Sequence, residues 1–191
     1  KFASVQIIAI PFYQSDVLPR GERILAFDPL PTIVNRREVQ PEMTLKNTQI
    51  AGRMYRNLGN IDVSLYFYRG FWGSPLGMIL DSTQSQLTFT HPHLNVYGGS
   101  LQGAFLNGVL SVEGGYYDSR DDPLGINTGI ENSQIRFLSG FQGAWGENLT
   151  IGLQYYGERM QDYTEYVENL PPAFPKRKEW RHTLSLRLTQ F

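Results

Sequence analysis

Cysteine is absent from all 191 residues, which removes disulfide frameworks, thiol nucleophiles and thiolate metal sites together. Apolar runs of the roughly 20 residues that a membrane-crossing helix needs are also missing. Neither sign of charge dominates, since 17 Lys and Arg face 18 Asp and Glu for a formal net charge of -1. Without a basic stripe there is no field to hold nucleic acid. Histidine is scarce as well. His91-Pro92-His93 supplies two potential metal ligands, but no third lies at a recognisable spacing. No serine stands in a motif that would gather a histidine and an orienting group around it. The expectation is therefore a protein that is not an enzyme and carries no cofactor or metal. Lys1-Phe2-Ala3-Ser4-Val5-Gln6 does not read as a charged segment leading into an apolar one, so any secretion signal is expected to have been removed or to lie upstream.

What the chain has is glycine and aromatics: 19 Gly, 11 Tyr, 11 Phe and 3 Trp. Aromatic residues favour strands, while glycine marks tight turns and close strand packing. Strict two-residue alternation then picks out the strands. Asn60 to Tyr68 sets Ile61, Val63, Leu65 and Phe67 against Asp62, Ser64, Tyr66 and Tyr68. Gly108 to Asp118 sets Leu110, Val112, Gly114 and Tyr116 against Ser111, Glu113, Gly115 and Tyr117. Asn148 to Glu158 opposes Leu149, Ile151, Leu153 and Tyr155 to Thr150, Gly152, Gln154 and Tyr156. Trp180 to Thr189 opposes Leu184, Leu186 and Leu188 to Thr183, Ser185, Arg187 and Thr189. Four weaker segments, Phe2 to Ile10, Leu45 to Leu58, Leu94 to Phe105 and Ser133 to Trp145, bring the expected number to about eight.

The connections alternate in length. Asn57-Leu58-Gly59-Asn60, Leu106-Asn107-Gly108 and Gly146-Glu147-Asn148 have hairpin chemistry. Between them run the long links Pro11 to Thr44, Gly70 to His93, Ser119 to Asn132 and Arg159 to Glu179. Short turns at one end and long loops at the other are the habit of outer-membrane barrels, and this ordering would leave both termini on the periplasmic side. Aromatic residues of the apolar parity fall near strand ends: Phe67, Tyr116, Phe137, Tyr155 and Trp180 at the long-loop end, Phe105 and Trp145 at the other. Such rings favour the two water-hydrocarbon boundaries. A soluble sandwich or lipocalin-like barrel also alternates, but it gives no reason for short and long links to follow one another so regularly. The expectation is an all-β chain, a single antiparallel transmembrane β-barrel domain spanning 1–191 in a bacterial outer membrane. Val63, Leu65, Leu110, Val112, Ile151, Leu153, Leu184, Leu186 and Leu188 are expected to face lipid.

Several segments resemble a poorly characterised, porin-like family of proteobacterial outer-membrane proteins, a domain of unknown function. They are Ile7-Ile8-Ala9-Ile10-Pro11-Phe12-Tyr13 with Val17-Leu18-Pro19, the strand pair from Gln49 ending Tyr66-Phe67-Tyr68-Arg69-Gly70, Val112-Glu113-Gly114-Gly115-Tyr116-Tyr117-Asp118 and Gly152-Leu153-Gln154-Tyr155-Tyr156-Gly157-Glu158. The resemblance covers most of the chain and implies a fold more than an activity. It also implies longer members with further strands. Phe191 has the opposite parity to Leu184, Leu186 and Leu188, whereas a final barrel strand is expected to end with its aromatic toward lipid, so the chain is expected to be part of a larger barrel.

The polar parity carries Arg53, Asp62, Glu113, Arg136, Gln142, Gln154, Glu158 and Arg187. In a water-filled lumen these groups tune passage of ions or solutes; in a closed eight-stranded barrel, whose interior is filled by side chains, they must pair. Passive passage and a structural role, as a plugged barrel or as a sheath or anchor for a partner such as an electron-transfer conduit, are both open on these residues, as is soluble ligand binding. Expected partners are outer-membrane lipid, lipopolysaccharide, further strands of the same barrel or a partner protein. Of the loops, Asp118-Ser119-Arg120-Asp121-Asp122 lacks the spacing of a calcium loop, and the basic, proline-rich run Leu170 to Lys178 reads as a polar loop that could also lie against anionic lipopolysaccharide.

The alternation makes a test. Leu186→Arg should cost about 2–4 kcal/mol near the middle of a lipid-facing row, measured by unfolding in bilayers, whereas Arg187→Leu should alter the interior instead. Equal losses from both would contradict the register.

Overall fold

Where alternation is regular the chain forms antiparallel strands, in a computed structural model that describes residues 3–17, 32–81, 83, 85–172 and 174–190. Phe2 at the start of the first expected strand, Leu18-Pro19, Ala173 and Phe191 lie outside the described residues. The strands are β1 Ser4–Ile10, β2 Asn35–Val39, β3 Gln49–Leu58, β4 Ile61–Phe71, β5 Gly77–Asp81, β6 Gln86–Thr90, β7 His93–Phe105, β8 Gly108–Ser119, β9 Gln134–Trp145, β10 Leu149–Met160 and β11 Trp180–Gln190, with one helix, α1 Tyr163–Asn169. Eight of them form a single antiparallel sheet in the order β1-β3-β4-β7-β8-β9-β10-β11, and these are the eight expected segments. The tight turns follow local chemistry: Gly59 and Gly146 both adopt positive φ, 69° and 71°, a region where a Cβ is penalised. The third turn is Leu106-Asn107 alone, and Gly108 already belongs to β8.

The expected ring is formed only as far as this sheet. Among the described residues β1 pairs with β3 and β11 with β10, and β1 does not pair with β11. Both outer strands are exposed along their length.

In antiparallel pairs, directly opposed residues share a face, so the ladders decide which side chains lie together. One row reads Ile7, Gly52, Phe67, Tyr97, Tyr116, Ile135, Arg159 and Trp180. Another reads Leu58, Ile61, Gly103, Leu110, Phe141, Leu153 and Leu186. The whole apolar parity therefore occupies one face. Among the described residues no layer covers that face: Leu184, Leu186 and Leu188 are 69%, 64% and 60% exposed, and Val5, Ile7, Leu65, Leu101 and Trp145 are exposed with them.

Among the described residues a conventional core lies at the long-link end, where Tyr13, Phe71, Trp72, Leu87, Leu94, Met160 and Tyr166 are buried. There the long links, read from the sequence as loops, fold into a layer of their own. β2 pairs parallel with β6, and β6 pairs antiparallel with β5. The third link joins the second through Met78 N–H to Gly129 O at 2.6 Å and Glu131 N–H to Leu76 O at 3.2 Å. The fourth, carrying α1, joins the third through Gln161 N–H to Ser133 O at 2.8 Å.

The first link is pinned by Tyr13, whose hydroxyl donates to the carbonyls of Trp72 and Gly73, 2.9 Å from each, and meets His91 Nδ1 at 2.5 Å. Burial, and then the Asp16 carboxylate, pushes the Tyr13 phenol above its ordinary range, so it stays a donor. His91 Nε2 reaches Glu38 Oε1 at 2.9 Å, and hydrogen bonds from His91 and then Gln40 hold the Glu38 carboxyl below its ordinary range. The His91 side chain has no exposed surface and all its bonds serve this clasp, which accounts for one half of the His-Pro-His pair. His93 Nδ1 bonds Asp121 at 2.9 Å.

Tyr13→Phe takes one partner from Trp72 O and His91 Nδ1, which keep each other, and one from Gly73 O, which keeps Asp16 N–H, and should make local opening of the first link easier by about 0.5–1.5 kcal/mol. Faster amide exchange over residues 32–44 with unchanged protection in β7 to β10 is the expected result. Acid should act the same way. A carboxyl whose folded-state value is depressed stabilises above the unfolded value and loses that contribution as pH falls through the folded one, here below the ordinary carboxylate range.

Candidate functional site

The polar parity occupies the opposite face, and that face is hollowed. Depressions of about 520, 340 and 270 Å³ lie along it. All eight expected lumen residues share it by register: Arg53, Asp62, Glu113, Arg136, Gln142, Gln154, Glu158 and Arg187. They do not form one cluster. Asp62 accepts from Asn57 Nδ2 at 2.8 Å near the first short turn. Glu113, Gln142, Gln154 and Arg187 line the largest hollow with Gln102, Ser111 and Ser185, a mixture of amides, hydroxyls and single opposite charges suited to keeping water and small polar solutes solvated.

Arg136 and Glu158 are brought together, with more besides. Glu158 is buried and its carboxylate serves two guanidiniums, Arg181 Nη2 in a short contact and Arg136 Nε at 3.7 Å, while Tyr156 donates to it at 2.9 Å. Arg136 donates through Nε and Nη2 to Gln134 Oε1, at 2.9 and 2.6 Å, and lies over the rings of Tyr117 and Trp72, 4.2 and 5.5 Å from their centroids. Gln134, fully buried, donates on to Glu131, which is paired with Arg177 of the fourth link. Burial works against the Arg177 charge, but the Glu131 carboxylate outweighs it and holds the group above its ordinary range. A polar chain thus runs from the long-link layer onto the near end of the hollowed face.

Arg181 was missing from the expected set although it shares the parity of Arg187 and faces Glu158. The signal was present in the alternation back from Arg187 through Ser185 and Thr183. Gln134 has the parity of Arg136 in the sequence, whereas Trp72 and Glu131 gave no signal, because they lie in links and meet the others through the fold.

On the apolar face, Phe67, Tyr116 and Trp180 share a row, with Phe137 and Tyr155 in the next two. Tyr155, His182 and Trp180 stack, at centroid distances of 6.0 and 5.7 Å, and Tyr155 O–H meets His182 Nδ1 at 2.7 Å. Phe105 packs edge-on to Phe141 near the short-turn end, and Trp145 is exposed there. Among the described residues no group of three or more His, Asp or Glu side chains is placed to hold a metal.

On the strands of the hollowed face, Arg53, Arg136, Arg181 and Arg187 oppose Asp62, Glu113 and Glu158. Glu158→Gln leaves Arg136 and Arg181 without their common anion. It should lower stability by about 1–2 kcal/mol, less than the 3–5 expected for a deeply buried pair because Arg181 is half exposed. Thermal unfolding in detergent measures the loss.

Compared with known proteins, the chain matches no protein-family model, no curated protein and no solved structure at a significant level.

Proposed function

We propose that the chain is an arc of an outer-membrane β-barrel working as a porin-like passive channel for small solutes or ions. The observation that carries this reading is the inverted distribution of polarity across the large sheet. Eight strands at about 4.8 Å spacing present an apolar area on the order of 1,000 Å², while monomeric soluble proteins rarely leave more than a few hundred Å² of contiguous apolar surface bare. Charges of that parity stand at the ends of their strands, with Arg56 near the first short turn and Arg69, Asp118 and Arg159 near the long links. The middle is left to Leu, Val, Ile, Met, Phe, Tyr and Gly with the small Ser139, and carries no charge.

The stagger of the hairpins supports the same reading. Ile61, beside the first short turn, faces Gly103, and β7 runs two residues further before turning at Phe105. Gly108 faces Gly143, and β9 again runs two residues further, to Trp145. Short turns lying level at one membrane surface then require a slip of one residue per strand. With a rise of about 3.3 Å and a spacing of about 4.8 Å, that slip tilts the strands by about 35°, in the range of membrane barrels.

The open edges suit an arc better than a finished ring. In hydrocarbon each unpaired N–H or C=O costs several kcal/mol, so β1 and β11 require antiparallel neighbours, for which further strands of the same barrel are the economical source. Lipid would cover the apolar face, and the Lys176-Arg177-Lys178 run at the long-link end would lie toward lipopolysaccharide. One observation favours a second reading, a plugged or sheathing barrel: the links fold into a packed layer rather than open loops.

Protein purified from membranes should raise the conductance of planar bilayers in discrete steps. Insertion without any conductance would remove the channel and favour the plugged or sheathing barrel.

A further inference from the structure

One row across the hollowed face reads Arg53, Tyr66, Gly98, Gly115, Arg136, Glu158 and Arg181, each on the next strand of the sheet. Every position but two bears a long side chain. The two glycines form the floor of the hollow of about 340 Å³, walled by Tyr66 on one side and by Tyr117, Arg136 and Tyr156 on the other, with Glu113 also lining it. At Gly98 a Cβ would come within 3.0 Å of Gly114 O, so close approach of backbone already explains that glycine. At Gly115 it would meet Tyr117 at 3.4 Å and Tyr97 O at 3.6 Å. That position has room for a methyl, and a strand glycine is the less stable choice by about 0.5–1 kcal/mol. What the missing side chain provides at 115 is the open floor.

The walls define what the hollow can hold. Tyr66 and Tyr156 give flat apolar faces with polar tips. Arg136 has its Nε and Nη2 committed to Gln134, and its Nη1 makes no hydrogen bond with the described residues. Glu158 balances only one of the two guanidiniums that share it. Arg53, at the far end of the row, bonds Ser64 Oγ at 3.0 Å and overlies Tyr55 and Tyr66 without a carboxylate partner among the described residues. Glu113 stands two residues from Gly115 along β8, about 7 Å, which is the span of a para-substituted benzene ring, and it too has no hydrogen-bond partner among the described residues.

Resting on the reading of this face as a lumen, we infer that the Gly98–Gly115 hollow is a binding site for small aromatic carboxylates, above all hydroxylated ones. The carboxylate meets Arg136 Nη1, the ring lies on the glycine floor against Tyr66, and a para hydroxyl donates to Glu113. Charge-assisted bonds of this kind contribute more than neutral ones, and the flat ring needs both glycines bare.

The test titrates 4-hydroxybenzoate into detergent-purified protein by calorimetry, beside benzoate and cyclohexanecarboxylate, with conductance recorded on the same preparation. Saturable binding is expected, weaker for benzoate and weaker by about tenfold or more for the non-planar cyclohexanecarboxylate. Gly115→Ala should weaken it severalfold and Gly115→Leu should abolish it. Absence of saturable binding overturns the site, as does equal binding of cyclohexanecarboxylate or wild-type affinity in Gly115→Ala with its melting unchanged. Gly115→Ala keeps the test decisive if Gly115→Leu fails to fold. Conductance without binding would remove the site and leave the channel, whereas binding without conductance would leave the site and remove the channel.

Discussion

Backbone pairing in a strict two-residue register is the constraint from which the rest follows. Shifting any one strand by a residue would exchange its two faces, setting Arg187 beside Ile151 and Leu153 of β10, or Glu113 beside Val112's neighbours on the bare side. No ladder of the large sheet does this. From β1 to β11 each opposed pair keeps like parity together, although the rows join residues far apart in sequence. The sheet therefore has two faces of different chemistry and no core between them. Its stability as a body depends on what wets each face, because burial against another layer, the usual source of roughly 1.5–3 kcal/mol per large apolar side chain, does not occur along its length.

Ordinary globular packing is confined to the long-link end. Tyr13, Phe71, Trp72, Leu87 and Tyr166 are buried there, and His91 is held across links by Tyr13 and Glu38. The molecule thus divides into a sheet with one bare apolar face and a knitted layer with a small core of its own. The two are mechanically joined, since Glu131 and Gln134 carry a hydrogen-bonded path from Arg177 in the fourth link to Arg136 and Glu158 within the sheet.

The eight sheet strands were legible because period-two alternation and Asn/Gly turns are local signals, and local signals decided them. The cap was not. β2, β5 and β6 have five residues each, too few for a pattern, and Asn35-Arg36-Arg37-Glu38-Val39 reads as polar loop until β6 pairs with it in parallel. The helix α1 has seven residues and no side-chain cap on Asp162, so neither periodicity nor capping announced it. Closure was beyond the sequence for a different reason: pairing between the first and last strands is a property of the whole sheet, and among the described residues it is absent. For the hollowed face, parity put the expected residues on one face, as the register does, but could not tell which would meet. Arg136 and Glu158 do, through facing positions on β9 and β10, while Arg53 and Arg187 stand apart.

The absence of native cysteine opens the most direct measurement, a scan of single cysteines carrying spin labels from Leu184 to Leu188 with the protein in bilayers. Accessibility to oxygen, which partitions into hydrocarbon, should peak at 184, 186 and 188, while accessibility to a water-soluble nickel chelate should peak at 185 and 187. Uniform profiles, or the opposite alternation, would contradict a sheet whose apolar parity meets lipid.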